Sequence, residues 1–199
     1  MDSRSVDAAN AHPRTPASGS PADLRDPGLI ARASNGDAGA FEELLVGRLD
    51  RLFRIACAIL GNEADAADAT QDACLSAWRE LPRLRDEQRF EAWLSRVLVN
   101  ACRMRLRRRS RVREIAILPE HDRPADRADH PSRLEDIESL DRAFGRLDVG
   151  ARSILVLHHM EHRPVSEIAA ALGVPVGTLK WRLHEARKQL AKALDEEGR

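Results

Sequence analysis

Three stretches of this chain carry residue types at spacings that could do chemistry. The first is His158-His159-Met160-Glu161-His162, which contains the pattern H-x-x-E-H. In some zinc proteases that pattern puts two metal ligands and a base on one helix, because residues four apart share a helical face. Here Arg163-Pro164 follows at once and no third ligand is evident, so no metal and no other cofactor is expected. The second is a run of arginines, Arg103, Arg105, Arg107, Arg108, Arg109, Arg111 and Arg113, with no acidic residue among them. A helix end meets its macrodipole with one or two cations, so a run of this length points to a polyanionic partner, nucleic acid first. The third is the set Thr178, Lys180, Trp181, Arg182, His184 and Arg187, which falls on one side of a helical pattern near the end of the chain. No Ser-His-Asp arrangement, phosphate-binding loop or dinucleotide fingerprint occurs. The chain is therefore not expected to be an enzyme.

The elements that must position these residues are helical. Of 199 residues, 43% are hydrophobic and only 4% aromatic, with no Tyr. Lys plus Arg and Asp plus Glu both number 32. The net charge is thus zero, and the basic run stands out by segregation rather than by bulk charge. Cys57, Cys74 and Cys102 form no C-x-x-C pair and read as small core residues of a reduced, cytoplasmic protein. No apolar run reaches the length of a membrane span, and the N-terminus lacks a signal-peptide pattern, so no membrane insertion is expected.

Residues 1–26 lack periodicity and read as a disordered tail. From Pro27 an apolar stripe runs through Phe41, Leu44, Leu45, Leu49, Leu52, Phe53, Ala56 and Leu60, with Gly61 placed to stop the helix. A second helix is expected over Glu63–Glu80, with Asp65, Asp68, Gln71 and Asp72 as an outward acidic strip. After the Leu81-Pro82 break, a third helix begins at Phe90 and buries Trp93, Leu94, Val97, Leu98 and Ala101 before it turns basic. The segment 113–132 reads as an extended linker. Beyond it, Leu134 to Leu147 form another stripe, and Asp148 is placed to cap the next helix. Two short helices flank Leu172-Gly173-Val174-Pro175, and Leu179, Leu183, Ala186 and Leu190 form the buried side of the second. That is the layout of a helix-turn-helix whose second helix enters the major groove. The fold class is all-α: an N-terminal helical bundle over 27–112 and a helix-turn-helix domain over 133–195, joined by the linker.

These stretches resemble a known family, the extracytoplasmic-function sigma factors of bacterial RNA polymerase. Phe41-Glu42-Glu43-Leu44, Gly61 to Asp72 and Phe90-Glu91-Ala92-Trp93-Leu94 look like its first domain. Leu147-Asp148, Val165-Ser166-Glu167-Ile168-Ala169 and Gly173 to Lys180 look like its second. The resemblance implies that Asp65, Asp68, Gln71 and Asp72 dock on the polymerase clamp, with the flap as a further contact. It implies that Trp93, Arg96, Asn100, Arg103 and Arg107 hold the opened minus-ten strand, with Asn100 beside a flipped-out base. It implies that Thr178, Lys180, Trp181, Arg182, His184 and Arg187 engage the minus-thirty-five element, and that an anti-sigma factor regulates the protein. Cys74 stands where the family usually has Phe, and Met104 where it has a polar residue. Trp181 and Glu185 stand where small polar and basic residues are common, so no base sequence carries over. Glu185 could accept from a cytosine amino group or pair with a neighbouring cation. The alternative is a stand-alone helix-turn-helix regulator, which predicts tight binding to a palindrome without polymerase.

Overall fold

The computed structural model describes residues 27–116 and 131–197, all helices and their connections, with no strand among them. The expected tail (1–26) and residues 117–130 of the expected linker lie outside the described residues. The helices are α1 (Pro27–Ser34), α2 (Ala38–Val46), α3 (Leu49–Leu60), α4 (Glu63–Glu80) and α5 (Phe90–Ala116), followed by α6 (Pro131–Gly145), α7 (Val149–Leu155), α8 (Val165–Leu172) and α9 (Val176–Glu197).

The stripe expected as one helix up to Leu60 is in fact three. Gly36 lies at φ 93°, and the Asp37 carboxylate then accepts from the Ala40 amide at 3.0 Å to start α2. A second break follows at Gly47-Arg48. Gly61, at φ 69°, ends α3 in the left-handed conformation that a side chain resists. Asn62 caps α4 by accepting from the Asp65 amide at 2.9 Å.

α4 buries mostly alanines: Ala66, Ala69, Ala73 and Ala77 have no exposed surface. Such small side chains let α3 and α5 approach closely on either side. Leu44, Ile55, Ile59, Phe90, Leu94 and Leu98 fill the space between them. α5 extends to Ala116, so its helix enters the segment expected as linker, and α6 begins at Pro131, before the expected start of the second domain.

In the C-terminal half, Asp148 caps α7 as its position suggested, accepting from the Gly150 and Ala151 amides at 2.6 and 3.1 Å. α7 runs into a π turn over Val156–Met160, and α8 and α9 meet at Gly173, φ 66°. The second helix of this pair is not short: it spans 22 residues. Its far end is tied to α6 by Arg142–Glu197 at 2.7 Å, and to the residue after α6 by Arg146–Glu196 at 3.0 Å. Cys102 is buried and Cys57 and Cys74 are half-buried, all as free thiols. Burial pushes the Cys102 thiol up to about 12, which keeps it protonated and unreactive.

The two halves touch. α5 packs on α8 and α7, α3 packs on α7 and the π turn, and one continuous apolar cluster runs through both halves. An ionic node seals the junction. Glu91 of α5 accepts from Arg48 at 2.7 Å and Arg51 at 3.0 Å, and lies 3.6 Å from Arg163. Arg51 also pairs with Glu161 across the junction. Burial alone would raise the Glu91 carboxyl, but Arg48, Arg51 and Arg163 outweigh it and hold the group below its ordinary value.

Candidate nucleic-acid interface

α5 sorts its arginines by face. Arg105, Arg108 and Arg109 turn toward α4, where the acidic residues stand three and four apart. Arg105 donates to Asp65 at 2.7 Å and also pairs with Asp68. Arg109 reaches the other Asp65 oxygen at 3.0 Å, and Arg108 lies 3.5 Å from Asp72. The hydrogen bond to Asp65 and the neighbouring carboxylates raise the pKa of Arg105 and fix its charge.

The acidic strip therefore does not stand open along its whole length. Asp65 is only 13% exposed, and both its oxygens are taken by arginines. Asp68 and Asp72 keep nearly half their surface in water, and Gln71 is exposed. The sequence carried a signal for this zipper, since four polar residues on α4 and three arginines on α5 recur at matching helical intervals.

The other face of α5 carries Arg96, Asn100, Arg103 and Arg107 at intervals of four, three and four, so they form one row. Arg96, Asn100 and Arg107 are exposed, and Arg96 and Arg107 make no ion pair among the described residues. Arg103 is half-buried. Burial first, then the charges of Arg182 and Arg107, lower its pKa against the opposing pull of Asp148.

Trp93 lies apart from this row. Its ring is 7% exposed and packs on Phe90 with centroids 5.6 Å apart, so it supports the helix from within the core. Its place in the apolar stripe already indicated that burial. Between α4 and α5, Asn100 borders a groove of about 280 Å³ that Leu75, Val97 and Met104 line with apolar surface.

On α9, Lys180, Trp181, Arg182, His184 and Arg187 are exposed opposite the buried stripe, while Thr178 is half-buried. Lys180, Arg182 and Lys188 have no ion pair among the described residues. Arg187 is held differently, donating through Nε to His159 Nε2 at 3.2 Å.

The H-x-x-E-H stretch does not form the face its spacing suggested. His162 lies outside the helix at φ 51°, so it does not stack one turn above His158. Glu161 is engaged by Arg51, and His158 Nδ1 contacts the Arg163 carbonyl at 3.2 Å. Among the described residues no group of three potential ligands is arranged to hold a metal ion.

Residues 45–112 match the sigma-70 region 2 family and residues 137–190 match sigma-70 region 4. The chain is similar to the extracytoplasmic-function RNA polymerase sigma factor SigM of Mycobacterium tuberculosis, 36% identical over 169 residues, covering 85% of this chain and 84% of that one. A solved structure of CnrH in complex with the cytosolic domain of CnrY matches at TM-score 0.58 and 29% identity, covering 84% of this chain and 96% of CnrH. The sigma factor RpoE of Bartonella quintana, solved in complex with the anti-sigma factor NepR, shares the fold at TM-score 0.65 and 24% identity, over 78% and 96% of the two chains. With both sigma regions in order on an all-helical scaffold, the chain belongs to the extracytoplasmic-function family of RNA polymerase sigma factors, which direct core polymerase to promoters.

Proposed function

We propose that this sigma factor divides initiation between residues 27–112 and residues 133–195, joined by the linker 113–132. The carrying observation is a pair of exposed basic faces, one on α5 and one on α9, each backed by a packed core. Arg96, Asn100 and Arg107 hold the opened minus-ten strand, with Arg103 joining them as it comes free of the junction. Opening a duplex costs stacking energy, and a protein offsets it by holding an unpaired base while arginines neutralise phosphates. Trp93 positions this row from below. Thr178, Lys180, Trp181, Arg182, His184 and Arg187 engage the minus-thirty-five duplex in the major groove.

Gln71, with the exposed oxygens of Asp68 and Asp72, docks on the polymerase clamp; Asp65 organises that surface through Arg105 and Arg109. The protein performs no catalysis of its own and acts in the cytoplasm. An anti-sigma factor restrains it, a reading supported by the likeness to CnrH, which was solved with the cytosolic domain of CnrY. Promoter elements about 25 base pairs apart are separated by roughly 85 Å of B-DNA at 3.4 Å per step. Arg103 and Arg182 stand close enough here to feel each other's charge, so the halves separate when both elements are engaged.

Run-off transcription with bacterial core polymerase on a promoter library tests this directly. Defined transcripts that appear only when the protein is added support the assignment. A tight palindromic footprint by the protein alone, with no transcripts, replaces it with the stand-alone regulator.

A further inference from the structure

α9 carries two side chains for which a helix that only seeks phosphates has no use. Trp181 is 63% exposed. It stands on the opposite side of the helix from Leu179, Leu183 and Ala186, so it is the side chain most directly presented to whatever the helix meets. An indole held in water forfeits the stabilisation that burial would bring, and its one polar group is a donor, not a cation.

Glu185 lies one turn further on. It is the only carboxylate in the first half of α9, and like charge makes it unfavourable beside a phosphate backbone. Arg182 and Lys188 are its neighbours at three residues in each direction, yet Glu185 forms no ion pair among the described residues. Both side chains border the same groove of about 270 Å³ against α7, floored by Ala151 and Ile154. Lys180, Arg182 and Lys188 flank them with exposed positive charge. An apolar group and an acceptor enclosed by cations match the edges of bases within a duplex.

We propose that Trp181 and Glu185 are the specificity-determining pair of the upstream element, Trp181 packing on a thymine methyl and Glu185 accepting from a cytosine amino group. This rests on the reading that α9 enters the upstream major groove. Of the base edges there, only thymine offers a methyl, and cytosine offers an amino donor without an adjacent acceptor. Four residues of helix rise about 6 Å, close to two base steps. The thymine and cytosine therefore lie about two steps apart. Against a guanine O6 or a thymine O4 the Glu185 carboxylate meets another acceptor, so it also rejects wrong bases.

The test is selection from a promoter library randomised in the upstream element, using holoenzyme with wild-type protein, Trp181→Ser or Glu185→Gln. Wild type is expected to select a thymine and a cytosine about two steps apart. Trp181→Ser should lose the thymine preference alone. Glu185→Gln should relax the cytosine preference by roughly tenfold, the usual scale of one mismatched pair. Replacing that thymine by deoxyuridine removes one methyl and should weaken wild-type binding about fourfold, with no effect on Trp181→Ser. Identical selected sequences in all three proteins, or equal tolerance of deoxyuridine, would overturn the proposal.

Lys180→Ala and Arg182→Ala separate its failure from that of the reading beneath it. An upstream footprint indifferent to both removes α9 from the duplex altogether. A footprint that depends on them, with selection unchanged in Trp181→Ser, removes only the specificity pair and leaves Trp181 as an anchor for a protein.

Discussion

Two helices concentrate the positive charge of this molecule, and they use it in opposite ways. On α5, Arg105, Arg108 and Arg109 are bound to aspartates of α4, while Arg96 and Arg107 are exposed without ion pairs among the described residues. On α9, Lys180, Arg182 and Lys188 are exposed with no ion pair among the described residues. A count of cations in a sequence therefore overstates the charge available to a partner. What decides is whether a neighbouring element carries acids at the matching helical interval. α4 does so for one face of α5, whereas α7 and α8 do not for the exposed face of α9.

The sharpest way to test this comparison is to reverse one exposed cation on each helix. Arg107→Glu and Arg182→Glu should each lower transcription from a cognate promoter by tenfold or more, and each should leave thermal stability within about 0.5 kcal/mol. Arg107→Ala should reduce the slope of log affinity against log salt by about one phosphate's share, whereas Arg105→Ala should hardly change it. If Arg105→Ala lowered the slope as much, the zipper would be open in solution and the division of faces would fail. Next in size is Asp65→Ala, which leaves Arg105 and Arg109 without their shared acceptor. It should cost about 2 kcal/mol in denaturant unfolding, while Asp72→Ala, whose single contact is longer and half-exposed, should cost under about 0.5 kcal/mol.

Most of the helical scaffold was legible because its signals are local. Asp148, Gly61 and Gly173 each act within a few residues, and the stripes that fill the core repeat at the helical period. The division of the first stripe into α1, α2 and α3 was less visible, since Gly36 and Gly47 interrupt a pattern whose apolar spacing continues across them. The arginine run was harder for a different reason. A stripe says which face is buried, but not which polar residues on the remaining faces meet another helix. Asp65 is acidic, helical and predicted to face outward, yet α5 crosses over it. The junction around Glu91 was invisible for the same reason, because Arg48 and Arg51, Glu91 itself, and Glu161 with Arg163 come from three separate stretches.

That junction joins the halves that carry the two helices of the comparison, and it can be loosened. Glu161→Ala removes the partner that Arg51 has across the interface, at a cost of about 1 kcal/mol for a partly exposed pair. The open arrangement should become up to about fivefold more populated, read as a longer mean distance between fluorophores placed on α4 and α9. An unchanged distance distribution would mean that the apolar contacts alone hold the halves closed.

The smallest expected effect concerns Arg187, which, unlike Lys180, Arg182 and Lys188, has a side-chain partner within the described residues. His159 accepts from Arg187 through Nε2, which requires a neutral ring with its proton on Nδ1. Burial first, then the charges of Arg187, His158 and His162, lower the His159 pKa below the ordinary histidine value of about 6.5. The unfolded chain therefore takes up this proton before the folded one does. The stabilisation is complete above the ordinary value and is lost as pH falls through the lower native one. Protonation turns Nε2 into a donor, breaks the bond and sets two cations against each other, freeing Arg187. A ring-proton titration followed by NMR should place His159 below the ordinary histidine value. Arg187→Ala should bring it back toward that value, because the change removes the largest nearby charge. If His159 titrates identically in the two proteins, Arg187 is as free in solution as Lys180 and Arg182, and every cation on the exposed face of α9 is then available to DNA.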